Sequence, residues 1–228
     1  MTDAAASPSH AAEHPPYLAH HFSDIEQQNE AGTLGMWLFL VTEIMFFGGL
    51  FASYAIYRYM YFAGFREGSH LLDWRFGAAN TAVLIGSSLT MALAVRSAQL
   101  GRRKALIAFL LLTMLLGIAF LGIKLTFEWS HDYAEQLIPG PFFGFSHPGP
   151  HEAAVQLFFC FYFFMTGLHA LHMIIGLGIM AVLVRMAARG RFDGGYFAPV
   201  EMSGLYWHFV DIVWIFLFPL LYLIGGTY

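Results

Sequence analysis

Five ionisable side chains stand where hydrocarbon is expected: Glu43, His169, His172, His208 and Asp211. Each lies inside a run that is otherwise almost free of charge. A carboxylate or cation at the centre of a membrane helix costs about 2.5–3.5 kcal/mol on insertion scales, so such a residue is read first as functional. Glu43 lies about 15 Å into its run at helical rise, near the middle of a bilayer. Hydrocarbon disfavours the charged form of a carboxyl, so Glu43 is expected to stay uncharged unless a cation reaches it. It then acts either as a protonatable group or as a polar link to a neighbouring helix or lipid. One interhelical hydrogen bond of that kind is worth only about 0.6 kcal/mol on average.

The other four come in pairs. His169 and His172 are three apart and share a helix face with Thr166. His208 and Asp211 are spaced in the same way, with Trp214 and Ile215 continuing their side. A carboxylate can accept a hydrogen bond from an imidazole and fix its tautomer. Three chemistries fit these residues. A metal centre needs three or four convergent ligands. A b-type haem needs two histidines from facing helices, which His169 and His208 would supply if their helices meet. His169 and His172 cannot both serve one haem, because they point the same way. The third option is a structural network of mutual hydrogen bonds, with a lipid or partner subunit using what is left over. Spacing alone favours the network.

Catalytic motifs are missing. The sequence contains no GxSxG, no CxxC, no glycine-rich phosphate loop and no HExxH. A single cysteine, Cys160, excludes an internal disulfide framework, a four-thiolate cluster and a CxxCH haem attachment. No catalytic, cofactor-binding or metal-binding residue is expected in this chain. The inverted repeats and broken helices of a transporter are not evident either.

The elements that must carry these residues are visible as gaps in the charge pattern. The 228 residues are 58% apolar and only 11% charged, and the mean hydropathy is +0.60. Soluble domains run at about 25% charged. A net charge of −4 offers no basic footprint for nucleic acid. Runs at about 34–57, 76–95, 105–123, 153–184 and 205–224 each hold at most one charge. Each is close to the roughly 20 apolar residues that a membrane helix needs. Backbone groups in lipid must be satisfied within the segment, so each run is a helix. The expected fold is all-α: a polytopic membrane bundle of five transmembrane helices over 33–228, preceded by a polar arm over 1–32 with a mobile tip.

Basic residues set the expected orientation. The loops after the second and fourth spans carry Arg96, Arg102, Arg103, Lys104, Arg185, Arg189 and Arg191, against Arg58, Arg66, Arg75 and Lys124 on the other side. The N-terminus is therefore expected inside and the C-terminus outside. After Lys124 the sequence predicts an outer loop with Pro139, Pro141, Pro148 and Pro150. In the second span Ala78, Ala82, Gly86, Thr90 and Ala94 recur every four residues, a small-residue stripe suited to close helix packing.

Three motifs carry a family resemblance. Leu34-Gly-Met-Trp-Leu-Phe-Leu-Val-Thr-Glu43-Ile-Met-Phe-Phe-Gly resembles the first helix of the five-helix form of haem–copper oxidase (cytochrome c oxidase) subunit III. Thr166-Gly-Leu-His169-Ala-Leu-His172-Met-Ile-Ile-Gly176 is similar to that family's T-x-L-H-x-x-H-x-x-x-G helix, and Tyr206-Trp-His208-Phe-Val-Asp211-Ile-Val-Trp214 to its W-H-F-x-D-x-V-W final helix. The resemblance covers about residues 20–228. It implies a non-catalytic subunit of a proton-pumping terminal oxidase in a bacterial cytoplasmic membrane, part of an oxidoreductase and translocase of aerobic respiration. It further implies that haem and copper reside in partner subunits, that subunit I is the main contact, and that subunit II and other small subunits complete the assembly, which can join a respiratory supercomplex. Bound phospholipid and support of proton uptake by subunit I are implied too. Glu43, Thr166, His169, His172, His208 and Asp211 fall on the family's buried polar positions. The seven-helix members hold lipid in a cleft between their first two and last five helices; this chain matches only the last five. A glutamate at position 43 and the long outer loop favour the cytochrome c branch. Quinol oxidase subunit III and a nitric oxide reductase accessory subunit are the alternatives within the family.

Overall fold

In a computed structural model the described residues are 22–140, 143–144, 151–192 and 196–223. Residues 1–21 of the expected arm, Pro141, Pro148, Pro150 and Ile224 lie outside them. The described residues are helical with short connections: α1 Ile25–Met60, α2 Phe62–His70, α3 Trp74–Gln99, α4 Arg103–Ile123, α5 Ser130–Ala134, α6 Glu152–Ala188 and α7 Ala198–Phe218. A π-helical turn, Lys124–Trp129, joins α4 to α5, and a second, Pro219–Leu223, extends α7. Among the described residues five helices are long and apolar enough to cross a membrane.

The helices overrun the apolar limits set by the charges. Helix α1 starts eight residues before the expected boundary at 33, because the Asp24 carboxylate accepts from the Gln27 amide at 2.7 Å and caps the first turn. The third span does not end at Lys124. It runs as one helix from Arg103 to Ala134. Lys124 is buried with a carboxylate partner rather than solvated, so nothing forces the helix to stop there.

Two turns end in the same way. Gly101 and Gly190 adopt φ of +64° and +73°. Behind each, two amides return to the helix: Gly101 to Ala98 and Arg102 to Ser97, then Gly190 to Ala187 and Arg191 to Met186. These are Schellman stops, which require a residue that tolerates a left-handed backbone. The Arg103 guanidinium donates to the Ala188 carbonyl, so the α3–α4 and α6–α7 turns share one end of the bundle.

Helices α3, α4, α6 and α7 converge on Trp207, whose side chain is fully buried. A Cβ at Gly117 on α4 would come within 2.9 Å of its indole, and one at Gly176 on α6 within 2.8 Å. Two glycines thus open the slot the indole fills, and its Nε1–H donates to Ser87 Oγ of α3 at 2.8 Å. Along α3 the buried line is Gly77, Asn80, Leu84, Ser87, Met91, Ala94 and Ala98. That spacing alternates three and four, as in a coiled-coil seam. The every-fourth stripe drifts off this line by roughly 40° per step, because a helix turns every 3.6 residues. Thr90 and Ala94 are buried, Ala78 and Gly86 are half-buried, and Ala82 is exposed. Helix α1 is attached more sparingly. Its buried residues are Leu40, Phe47 and Tyr54, one every seven positions. The Tyr54 hydroxyl donates to the Leu220 carbonyl at 3.0 Å, and Ser69 of α2 to the Leu221 carbonyl at 2.7 Å. Together they satisfy acceptors at the C-terminal end of α7, where a helix leaves its carbonyls unpaired.

Candidate functional site

The six polar positions read from the sequence separate into distinct places. Glu43 on α1 meets His172 on α6, with Oε2 3.2 Å from Nε2. His172 Nδ1 is 2.8 Å from the Leu168 carbonyl, which has no proton to give. Nδ1 is therefore the donor to that carbonyl, which leaves Nε2 facing the Glu43 carboxyl. The Tyr206 hydroxyl donates to the His172 carbonyl at 2.9 Å and ties α7 to the same turn of α6.

His208 and Asp211 belong to the α3–α7 contact. Three side-chain links cross it: Trp214 to Thr81 at 3.1 Å, Trp207 to Ser87 at 2.8 Å, and Ser88 to His208 Nδ1 at 2.7 Å. Asp211 does not bond a histidine. The Ser88 hydroxyl of α3 approaches the Asp211 carboxyl as a side-chain donor, but the contact falls short of a full hydrogen bond, and neither carboxylate oxygen has a partner among the described residues.

His169 and Thr166 stand apart from both. The Thr166 hydroxyl donates back to the Tyr162 carbonyl of its own helix at 2.6 Å. The His169 ring is fully buried, edge-on to Phe120 at 5.4 Å and tilted over Trp214 at 5.3 Å. Both its ring nitrogens lack partners among the described residues. His169 and His208 therefore do not face a common space that a haem could fill. The first is wedged between aromatic rings, and the second borders the grooves on either side of α7. Among the described residues no three His, Cys, Asp or Glu side chains are grouped to hold a metal ion.

The most polar interior cluster escaped the sequence reading. Lys124 contacts the Glu128 carboxylate and the Tyr222 hydroxyl, and donates to the Tyr162 hydroxyl at 2.9 Å. Its ammonium lies 4.6 Å from the Tyr162 ring centre, 5.2 Å from that of Tyr222 and 5.4 Å from that of Trp214. Glu128 Oε2 also accepts from Tyr162 at 3.1 Å and from Tyr222. Asp132, the next residue at this spacing, is buried as well. The signal was present as Lys124, Glu128 and Asp132 at four-residue intervals directly after an uncharged run. Such a series continues a helix face rather than opening a loop.

The model of the family described as cytochrome c oxidase subunit III matches residues 16–226. The cytochrome bo(3) ubiquinol oxidase subunit 3 of Pseudomonas aeruginosa is 35% identical over 192 residues, 84% of this chain and 84% of that relative. The corresponding protein of Pseudomonas putida is 31% identical over 84% of this chain and 85% of its own length. The quinol oxidase subunit 3 of Bacillus subtilis is 30% identical over 88% and 92%.

Proposed function

This chain belongs to the haem–copper oxidase subunit III family, and from that premise we propose that it is the non-redox structural subunit of an oxygen-reducing respiratory oxidase. Its partners are the other oxidase subunits, with subunit I as the main contact. Its work is to brace subunit I and support proton uptake there. The observation that carries this reading is how the interior polar groups are used. Glu43, His172 and His208 link one helix to another, and so do Lys124 and Glu128 with the two phenols. In this reading they hold a scaffold, and redox chemistry belongs to the haem and copper of its partners.

We place the chain in a bacterial cytoplasmic membrane with the N-terminus inside. The burial of Lys124 strengthens the charge argument. It removes one cation from the outer count and leaves Arg58, Arg66 and Arg75 against the seven basic residues of the opposite end. A groove of about 400 Å³ between α1 and α7, lined by Trp37, Leu40, Phe47, Phe51, Phe209 and Phe216 among others, suits a phospholipid acyl chain. Two electron donors remain in play for the assembled enzyme. The relatives named above are quinol oxidase subunits, which favours a quinol. Glu43 and the length of the α5–α6 connection favour cytochrome c.

The test is purification through a tag on this chain in mild detergent. A haem-containing oxidase is expected to follow the tag. Oxygen uptake driven by ubiquinol or by reduced cytochrome c assigns the donor. The chain stripped of its companions is expected to show no Soret band. A haem that stays with the isolated chain, or a preparation with no oxidase in it, refutes the proposal.

A further inference from the structure

The three links between α3 and α7 run antiparallel: 81 against 214, 87 against 207 and 88 against 208. At this register Asp211 stands opposite Leu84, a buried residue with nothing to donate. Asp211 is itself only 3% exposed, and both its oxygens are unpartnered among the described residues. It borders a groove of about 400 Å³ between α3 and α7, shared with Ser88 and His208. The rims of that groove are Ile85, Leu89, Ile212 and Ile215, about half or more exposed. An unpartnered carboxyl just beneath the floor favours a hydrogen-bond donor there, and the apolar rims favour an apolar body.

Depth narrows the occupant. Asp211 lies thirteen residues from the start of the span Ala198–Leu223, about 20 Å along it and near its middle. Lipid headgroups lie at the surfaces of a hydrocarbon layer about 30 Å thick, and acyl chains carry no donor. A membrane helix bearing one polar side chain supplies both requirements at that depth, and such helices associate through single interhelical hydrogen bonds combined with close packing. Resting on the functional reading above, we propose that the α3–α7 groove is the docking surface for a transmembrane helix of another oxidase subunit, which presents a hydroxyl, amide or cationic donor to Asp211. His208, held by Ser88, offers its other ring nitrogen beside it.

The test uses the assembled oxidase. A photo-crosslinking amino acid replacing Leu89 or Ile215 is expected to form an adduct with another oxidase subunit, and one replacing Leu115 on α4, outside the groove, is not. Leu89→Trp fills the groove from a side chain that is 62% exposed, so it leaves the chain's own packing intact. It is expected to cut recovery of this chain with the oxidase at least tenfold, whereas Leu115→Trp leaves recovery unchanged. Asp211→Leu is expected to act like Leu89→Trp, and Asp211→Asn, which keeps an acceptor oxygen, less so. Full recovery with Leu89→Trp overturns the docking surface. So do adducts formed only with lipid, with a quinone or with a second copy of this chain. A chain recovered with no oxidase at all defeats the functional reading, and this surface with it. Recovery with the oxidase but adducts from Leu115 alone defeats only the surface.

Discussion

Removing the Lys124 ammonium should unbalance the bundle far more than removing the ammonium and its carboxylate together. In Lys124→Met the methylene bulk is retained and the charge is lost. Glu128 Oε2 then keeps only the phenols of Tyr162 and Tyr222 as donors and has no cation in contact. Breaking one side of a buried ion pair costs about 3–5 kcal/mol, because the remaining charge is desolvated and uncompensated. The three aromatic rings around the ammonium lose their cation as well, so the upper part of that range is expected. In Lys124→Met combined with Glu128→Gln both members of the pair are neutral and the phenols can still donate to the amide oxygen, while for the buried Asp132 the loss of the ammonium's attraction is partly offset by the loss of the Glu128 repulsion. That double variant is expected to lie within about 1 kcal/mol of the parent, as happens when buried pairs are replaced whole. The assay is reversible unfolding of the detergent-purified chain, followed by circular dichroism, for parent, both single variants and the double. Three kcal/mol shifts the folded-to-unfolded ratio by about two decades, well beyond measurement error. The reasoning fails if Lys124→Met costs less than about 1 kcal/mol, or if the double variant costs the sum of the singles.

Three further outcomes follow from other contacts. Gly176→Ala places a methyl 2.8 Å from the Trp207 ring and should cost about 1–3 kcal/mol in the same unfolding assay, whereas Gly178→Ala, which meets nothing within 4 Å, should be neutral or slightly stabilising. Glu43→Gln keeps a donor for His172 Nε2 and should leave assembly and turnover lifetime of the oxidase near normal, while Glu43→Ala shortens that lifetime; identical behaviour of both variants and the parent would remove any role for the pair. Gly190→Ala forces a side chain to adopt φ +73° and should destabilise the chain by about 1 kcal/mol, seen as a lower unfolding midpoint.

Charge spacing made the five helices legible, since hydrocarbon permits few alternatives to a helix. Their true ends were not legible, because each depends on a partner distant in sequence. Lys124 reads as a helix flank until Tyr222, 98 residues later, is seen at its ammonium. The short α2 lies in a connection that charge counting passes over, yet its Ser69 helps close the end of α7. The six polar positions were identified as buried or half-buried sites, but not their connections. Residues three apart on a helix diverge by roughly 60°. That is enough to send His172 toward α1 and His169 toward Trp214. Ser87 and Ser88 drew no notice in the sequence, because serine is cheap in a membrane helix. Their importance comes from the α7 residues they face.

Those serines bear on register more than on stability. At about 0.6 kcal/mol each, the three α3–α7 links contribute about 2 kcal/mol in total, little beside the packing of four helices. Sliding α7 by one turn changes the comparison. Trp214 would then face Gly77 or Ile85, Trp207 would face Val83 or Met91, and His208 would face Leu84 or Ala92. None of these side chains can replace the lost hydrogen bond, so every link fails at once. Each polar group left unpaired in hydrocarbon costs several kcal/mol. The indole of Trp207 would also leave the slot opened by Gly117 and Gly176. Links that are individually weak thus exclude the neighbouring registers collectively, and the native register is the one that sets Asp211 against Leu84 with neither carboxylate oxygen fully hydrogen-bonded among the described residues.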